Sequence, residues 1–179
     1  MKKQIIHFVV LLLTAFLFWV GCVNPFAPSL TDSGDTQHLI LSEQDTPEGV
    51  FTNFSYSYNF KDSLVYADLL DSSFLFISKN YATNPVTDLT WGRDVDIKTT
   101  VGLFRHFQTL NLKWEATIFE RFLDDDSSKK EIKKRFQLTF DGGQEIPTIN
   151  GDALFILLKK SRNKKPFWQI TRWEDLSTF

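Results

Sequence analysis

A change of hydrophobic period halfway along the chain predicts an α+β fold, with three helices of the N-terminal half packed on a curved antiparallel sheet. From Thr46 to His106 apolar side chains recur at three- and four-residue spacing, broken by one short apolar run; from Leu110 onward they alternate. The chain is also rich in rings, with 18 Phe, 5 Trp and 4 Tyr among 179 residues. That is enough large apolar surface to close a core without cross-links.

The elements follow in order. Thr46-Pro47-Glu48 offers a cap, a proline at the first helical position and an acid in the first turn, and Val50, Phe51, Phe54 and Tyr58 continue at helical spacing. Asp62 caps a second helix carrying Val65, Tyr66, Leu69 and Leu70. Phe74-Leu75-Phe76-Ile77 is short and continuous, so it reads as a strand, followed by a loop through Pro85 to Trp91. Ile97, Val101 and Phe104 stripe a third helix from about Arg93 to His106. Asp94 and Asp96 sit at its positive end, Arg105 and His106 at its negative end.

Leu110, Leu112, Trp114, Ala116 and Ile118 then share one strand face, opposite Asn111, Lys113, Glu115 and Thr117. Ile132, Phe136, Leu138 and Phe140 repeat the pattern, and Asp141-Gly142-Gly143 turns the chain. Ala153 to Leu158 reads as a strand buried on both faces, and Phe167 to Trp173 as the last strand.

Ahead of this domain the chain has a different character. Lys2 and Lys3 precede an apolar run, Ile5 to Val20, shorter than the roughly 20 residues a membrane-crossing helix needs. Basic start, apolar core and small residue are the parts of an export signal. At Trp19-Val20-Gly21-Cys22 the junction resembles a bacterial lipobox, from which Trp19 departs because a smaller aliphatic is usual there. The resemblance implies a diacylglyceryl group on Cys22, cleavage before it, and acylation of the new amino terminus by a fatty acid such as palmitate. An ordinary cleaved signal and a retained anchor are the alternative readings.

Residues 1–21 are thus read as a lipoprotein signal peptide, 22–45 as the lipidated N-terminus and a Pro-, Ser- and Asp-containing tether, and 46–179 as the folded domain. The expected location is the bacterial cell envelope, on the outer membrane facing the periplasm, with Val23 after Cys22 compatible with that sorting.

Within 46–179, Thr46-Pro47-Glu48-Gly49-Val50, Lys61-Asp62 with Tyr66 and Leu69-Leu70, Trp91-Gly92-Arg93, and Trp168-Gln169-Ile170 with Trp173 and Asp175 resemble the nuclear transport factor 2-like superfamily. This is the cystatin-like cone shared with SnoaL and ketosteroid isomerase-like proteins. The resemblance implies a pocket between sheet and helices, used for catalysis in some members and for binding in others. In the isomerase-like enzymes the strand after the second helix carries a carboxylate base; Phe74-Leu75-Phe76-Ile77 carries none.

Tyr56, Tyr58, Tyr66, Phe76, Trp91, Trp114 and Trp173 are the candidate pocket residues, as aromatics with a few polar tips are what ligand pockets use. His106, the one histidine of the domain, reads as a surface residue answering the helix dipole. No histidine pair, calcium loop, phosphate loop or nucleophile elbow is present, so neither a metal nor a cofactor is expected. The net charge of −2, more negative once Lys2 and Lys3 are removed, argues against a nucleic-acid partner.

Lys130, Lys133 and Lys134 open one strand, and Lys159, Lys160 and Lys164 close the next. A hairpin centred near Ile146 would set Ile132 opposite Lys160 and join the two clusters in a basic patch. The bland reading is that these charges protect sheet edges.

The leading expectation is a membrane-anchored, non-catalytic module that binds a small apolar ligand or a partner protein. The alternatives are an isomerase- or dehydratase-type enzyme using Tyr56 or Tyr66 with an acid such as Glu115 or Asp175, and a structural subunit whose sheet face pairs with a second copy.

Overall fold

The computed structural model describes residues 41–141 and 148–177. Cys22, the segment 1–21 and the tether before Leu41 lie outside the described residues, as does the Gly142-Gly143 turn.

Helix α1 spans Pro47–Asn59; Thr46 Oγ1 accepts the Gly49 amide at 3.1 Å, and Pro47 stands where no N–H is needed. Helix α2, Ser63–Leu69, starts at Asp62, whose Oδ1 accepts the amides of Leu64 and Val65 at 3.0 Å each. Strand β1 (Leu70–Asn80) and β2 (Thr87–Gly92) lead into helix α3 (Arg93–His106). Four long strands complete the domain: β3 (Leu110–Phe122), β4 (Lys129–Phe140), β5 (Ile149–Arg162) and β6 (Lys165–Asp175).

The six strands form one sheet in the order β2-β1-β6-β5-β4-β3. β1 and β6 run parallel and every other neighbouring pair antiparallel, so the sheet is mixed, not purely antiparallel. A parallel pair needs a long connection, and here most of the domain lies between the two strands.

Other expectations shift as well. The stretch read as a loop before Trp91 contains β2, whose mostly exposed residues leave no alternation to read; Trp91 opposite Phe76 anchors it, the two rings stacked at 4.2 Å. β1 begins at Leu70, not Phe74, and so carries an acid, Asp71. Along β3 only Leu110, Leu112 and Trp114 turn inward. Register shifts after Trp114 and Thr117 break the alternation and leave Ile118 and Phe119 exposed. β5 is longer than read and alternates, Ala153, Phe155 and Leu157 being fully buried between half-buried neighbours.

The domain also starts earlier than Thr46. Ser42 exchanges two hydrogen bonds with the Asn53 side chain, at 2.7 and 2.9 Å, and the Trp168 amide donates to the Gln44 carbonyl at 2.7 Å. Gly49 permits this approach, because a Cβ there would lie 2.2 Å from Ser42 Oγ.

The core lies between the helices and the concave face of the sheet. Phe155 is its hub: edge-on to Phe51 at 5.2 Å and to Trp114 at 5.7 Å, and stacked with Trp173 at 5.7 Å. Phe54, Tyr66 and Phe155 are fully buried, each such side chain contributing roughly 1.5–3 kcal/mol.

Candidate functional site

The rings do not fill the cone. A cavity of about 500 Å³ remains between α3 and the sheet. Phe54 and Tyr58 of α1, Phe76 of β1 and Trp91 of β2 form one side, and Leu112 and Trp114 of β3 with Phe136 and Leu138 of β4 another. Trp173 and Asp175 of β6 and Ile149 of β5 also line it. α3 contributes Asp96, Thr99, Thr100, Gly102, Leu103 and His106.

Five sequence candidates therefore meet in one place: Tyr58, Phe76, Trp91, Trp114 and Trp173. Tyr66 is not on the wall. It is completely buried beside the cavity, and its hydroxyl donates to Asp96 Oδ2 at 2.5 Å. Tyr56 is on another face of α1, packed against Phe60 at 4.6 Å. Glu115 is exposed on β3, outside the lining, whereas Asp175 is part of it.

Asp96, whose place in the first turn of α3 suits dipole compensation, is only 3 % exposed. The inward face of α3 is Asp96, Thr100 and Phe104, one turn apart each, so the acid points into the cone. Trp91 Nε1 donates to Asp96 Oδ1 at 2.8 Å. Burial raises the Asp96 pKa above the ordinary carboxylate range, against the opposing effect of the Tyr66 and Trp91 hydrogen bonds.

Burial likewise raises the Tyr58 hydroxyl, with the Asp96 charge adding to it and the Thr100 and Tyr66 hydroxyls partly offsetting it. Tyr66 is raised well above its usual value by burial and by its neighbours Tyr58 and Asp96. These groups form one buried polar cluster in an otherwise aromatic cavity. His106, expected to be an outward surface group, lines the cavity although it is exposed. Trp173 Nε1 is buried with no hydrogen-bond partner among the described residues.

Sequence spacing alone could have raised Asp96: it is four residues before Thr100 and eight before Phe104, on a stripe read one position away through Ile97 and Val101.

The basic clusters share one end of the sheet, but in a register other than the expected one. Leu138 stands opposite Ile149 and Ile132 opposite Phe155, which centres the hairpin nearer Gly143 than Ile146. Lys159 and Lys160 thereby fall beyond the partners of Lys129. Three of the six lysines also have ion-pair partners: Lys130 with Glu120 at 3.1 Å, Lys133 with Asp152 at 3.2 Å, and Lys160 with Asp71. Lys134 is buried, donates to Thr117 Oγ1 at 2.8 Å and sits 4.7 Å from the Phe51 ring centroid. Lys159 approaches the Trp168 ring at 5.9 Å, and Lys164 is exposed in the β5–β6 turn.

No family model matches the chain, and no curated protein matches it either. Solved structures do. A candidate scytalone dehydratase from Novosphingobium aromaticivorans superposes with a TM-score of 0.55 at 15 % identity, covering 74 % of this chain and 81 % of that one. A nuclear transport factor 2-like protein of unknown function from Shewanella oneidensis gives 0.52 at 14 % identity, covering 70 % and 92 %. A candidate aromatic ring hydroxylase from N. aromaticivorans gives 0.53 at 10 % identity, covering 74 % and 86 %. The chain has the nuclear transport factor 2-like fold. At these identities the likeness extends to the fold alone.

Proposed function

We propose that the chain is a lipid-anchored, non-catalytic module of the bacterial cell envelope that binds a small, largely apolar molecule in the cone. The observation that carries the binding reading is the cavity itself. It stays open at about 500 Å³ in a domain with rings to spare, within the size range of ligand pockets. The two oxygens of Asp96 already accept protein hydrogen bonds, which suits a wall that holds a ligand better than a base that must take a proton. The lipobox-like Cys22 supports the anchor, and the tether would hold the domain off an outer membrane on its periplasmic side.

Trp91, Trp114 and Trp173 all line the cavity, so ligand entry reports itself in tryptophan emission. Titration with a neutral apolar fluorescent probe such as N-phenyl-1-naphthylamine should give saturable quenching or energy transfer in the wild-type chain. Leu138 is a partly buried apolar residue of the cavity wall, so Leu138→Trp adds a larger ring to the cavity. It should abolish the signal while the melting temperature stays within a few degrees, and binding that survives the plug would refute the site. Mass spectrometry of the mature protein checks the anchor: an N-terminus beginning elsewhere than an acylated Cys22 removes it.

An enzyme of the dehydratase or isomerase type is the second reading. What favours it is the Asp96 carboxylate beside Tyr58 and Tyr66, with His106 and Asp175 on the same lining, in a fold that includes a candidate scytalone dehydratase. In that reading the acid is Asp96 or Asp175, and Glu115 has no part.

A further inference from the structure

We propose that the cone selects a cation, namely a lipophilic amine or alkylammonium compound whose charged head sits by Asp96 and whose tail lies among the rings. The proposal rests on the cone being a ligand site and names the charge of what it holds.

Three observations converge. First, Asp96 is buried and has no cation of its own: among the described residues no Lys, Arg or His nitrogen lies within 4.0 Å of its carboxylate. Its partners, Tyr66 and Trp91, are neutral donors, one to each oxygen. Each oxygen accepts one hydrogen bond and keeps lone-pair capacity for a further donor. A buried charge is normally matched by an opposite one.

Second, the lining is biased in sign. It contains Asp96 and Asp175 and neither lysine nor arginine, with His106 as its one basic side chain. An anionic ligand would meet two acids, and a neutral one would leave Asp96 uncompensated.

Third, the rings around the carboxylate are those that attract cations. Trp91 holds Asp96 through its N–H while stacked on Phe76 at 4.2 Å, and Trp173 is edge-on to the same Phe76 at 5.0 Å. A carboxylate among indole and phenyl rings is the arrangement that binds ammonium heads, because the ring quadrupole and the charge act together.

The test uses three probes of matched shape on the mature chain: 4-phenylbutylamine, 4-phenylbutanol and 4-phenylbutyrate, read by tryptophan emission and calorimetry. The amine should bind at least about tenfold more tightly than the alcohol, and the carboxylate most weakly. Asp96→Asn keeps both neighbours, its oxygen facing Trp91 Nε1 and its amide facing the Tyr66 hydroxyl, so shape is preserved and charge is lost. In that variant amine and alcohol should converge to within about threefold.

An alcohol or carboxylate that equals the amine on the wild-type chain overturns the charge preference and leaves the ligand site standing. Persistence of the preference in Asp96→Asn assigns it elsewhere and overturns the proposal too. Silence from all three probes on the wild-type chain removes the ligand-site reading along with it.

Discussion

Asp71 and Asp96 are buried to the same degree, 3 % exposed, and their pKa values shift in opposite directions. Asp71 stands at the start of β1, where its Oδ2 meets Lys160 Nζ and its Oδ1 takes the Ser73 amide at 2.8 Å and hydroxyl at 2.6 Å. Burial pushes its pKa up, but the Lys160 and Ser73 bonds outweigh it and bring the group down to about 2. Asp96 has hydrogen bonds and no cation, and burial prevails. Neutral donors satisfy a carboxylate's lone pairs without cancelling its charge, so burial alone does not tell a structural acid from one left for a ligand. The presence of a cation does.

The surroundings agree. Next to Asp71, Asp68 is clamped by Arg162 at 2.8 and 3.1 Å and by Gln44 at 3.1 Å, and Gln169 donates to its carbonyl at 2.7 Å. That end of the domain is a closed polar lattice joining the chain before α1 to α2, β5 and β6. The Asp96 end encloses a cavity.

The largest effect expected from this contrast is on stability. Asp71→Asn leaves Lys160 without its counter-ion and costs about 2 kcal/mol, moderated because the lysine can reach water. Asp96→Asn retains both hydrogen bonds and removes an uncompensated charge, so it should cost less than about 1 kcal/mol. Guanidinium unfolding midpoints of the two variants provide the check; equal losses would erase the distinction between the two acids.

The same contrast predicts a pH dependence with two opposite limbs. Asp71 is depressed, so its contribution is full above about 4, the ordinary unfolded value, and is lost as pH falls through its folded value of about 2. Asp96 is raised, so the folded protein is penalised above its folded pKa and recovers stability as pH falls through that value toward about 4. Unfolding midpoints measured from neutral to strongly acidic pH should show the gain vanish in Asp96→Asn and the later loss shrink in Asp71→Asn. A gain that survives in Asp96→Asn would place the titrating group elsewhere.

The sequence is explicit where structure is local or periodic. Thr46-Pro47 and Asp62 announce their helices because capping involves residues only two or three apart. The inward stripe Ile132, Phe136, Leu138 and Phe140 of β4 is plain because strand period and burial coincide there. The parallel β1–β6 pairing was not legible, since Leu70 and Ile170 meet only through the whole intervening fold. Nor was the cavity complete: once the resemblance implied a pocket, five of its rings could be named, but Asp96 looked like ordinary first-turn chemistry. An acid two positions from Asp94 reads as a dipole partner until Tyr66 and Trp91, from different elements, are seen to converge on it. Lys160 misled in the other direction, because its partner Asp71 is 89 positions away and no spacing rule spans that distance.

The smallest expected effect on ligand affinity separates hydrogen bonding from charge at Asp96. Tyr66→Phe keeps the buried ring, which packs edge-on to Phe54 at 5.6 Å and to Tyr58 at 5.8 Å, and deletes only the hydroxyl. Asp96 Oδ2 loses its donor inside the protein, and the cost should be about 1 kcal/mol, less if water from the cavity replaces the hydroxyl. The carboxylate keeps its charge and Trp91 keeps its bond to Oδ1. Affinity for an amine probe should therefore hold or rise in Tyr66→Phe, whereas Asp96→Asn loses the preference for the amine. If the two variants lost the amine alike, the cluster would matter as a hydrogen-bonded scaffold and not as a charge. Asp96 would then resemble Asp71 in role while differing from it in partner.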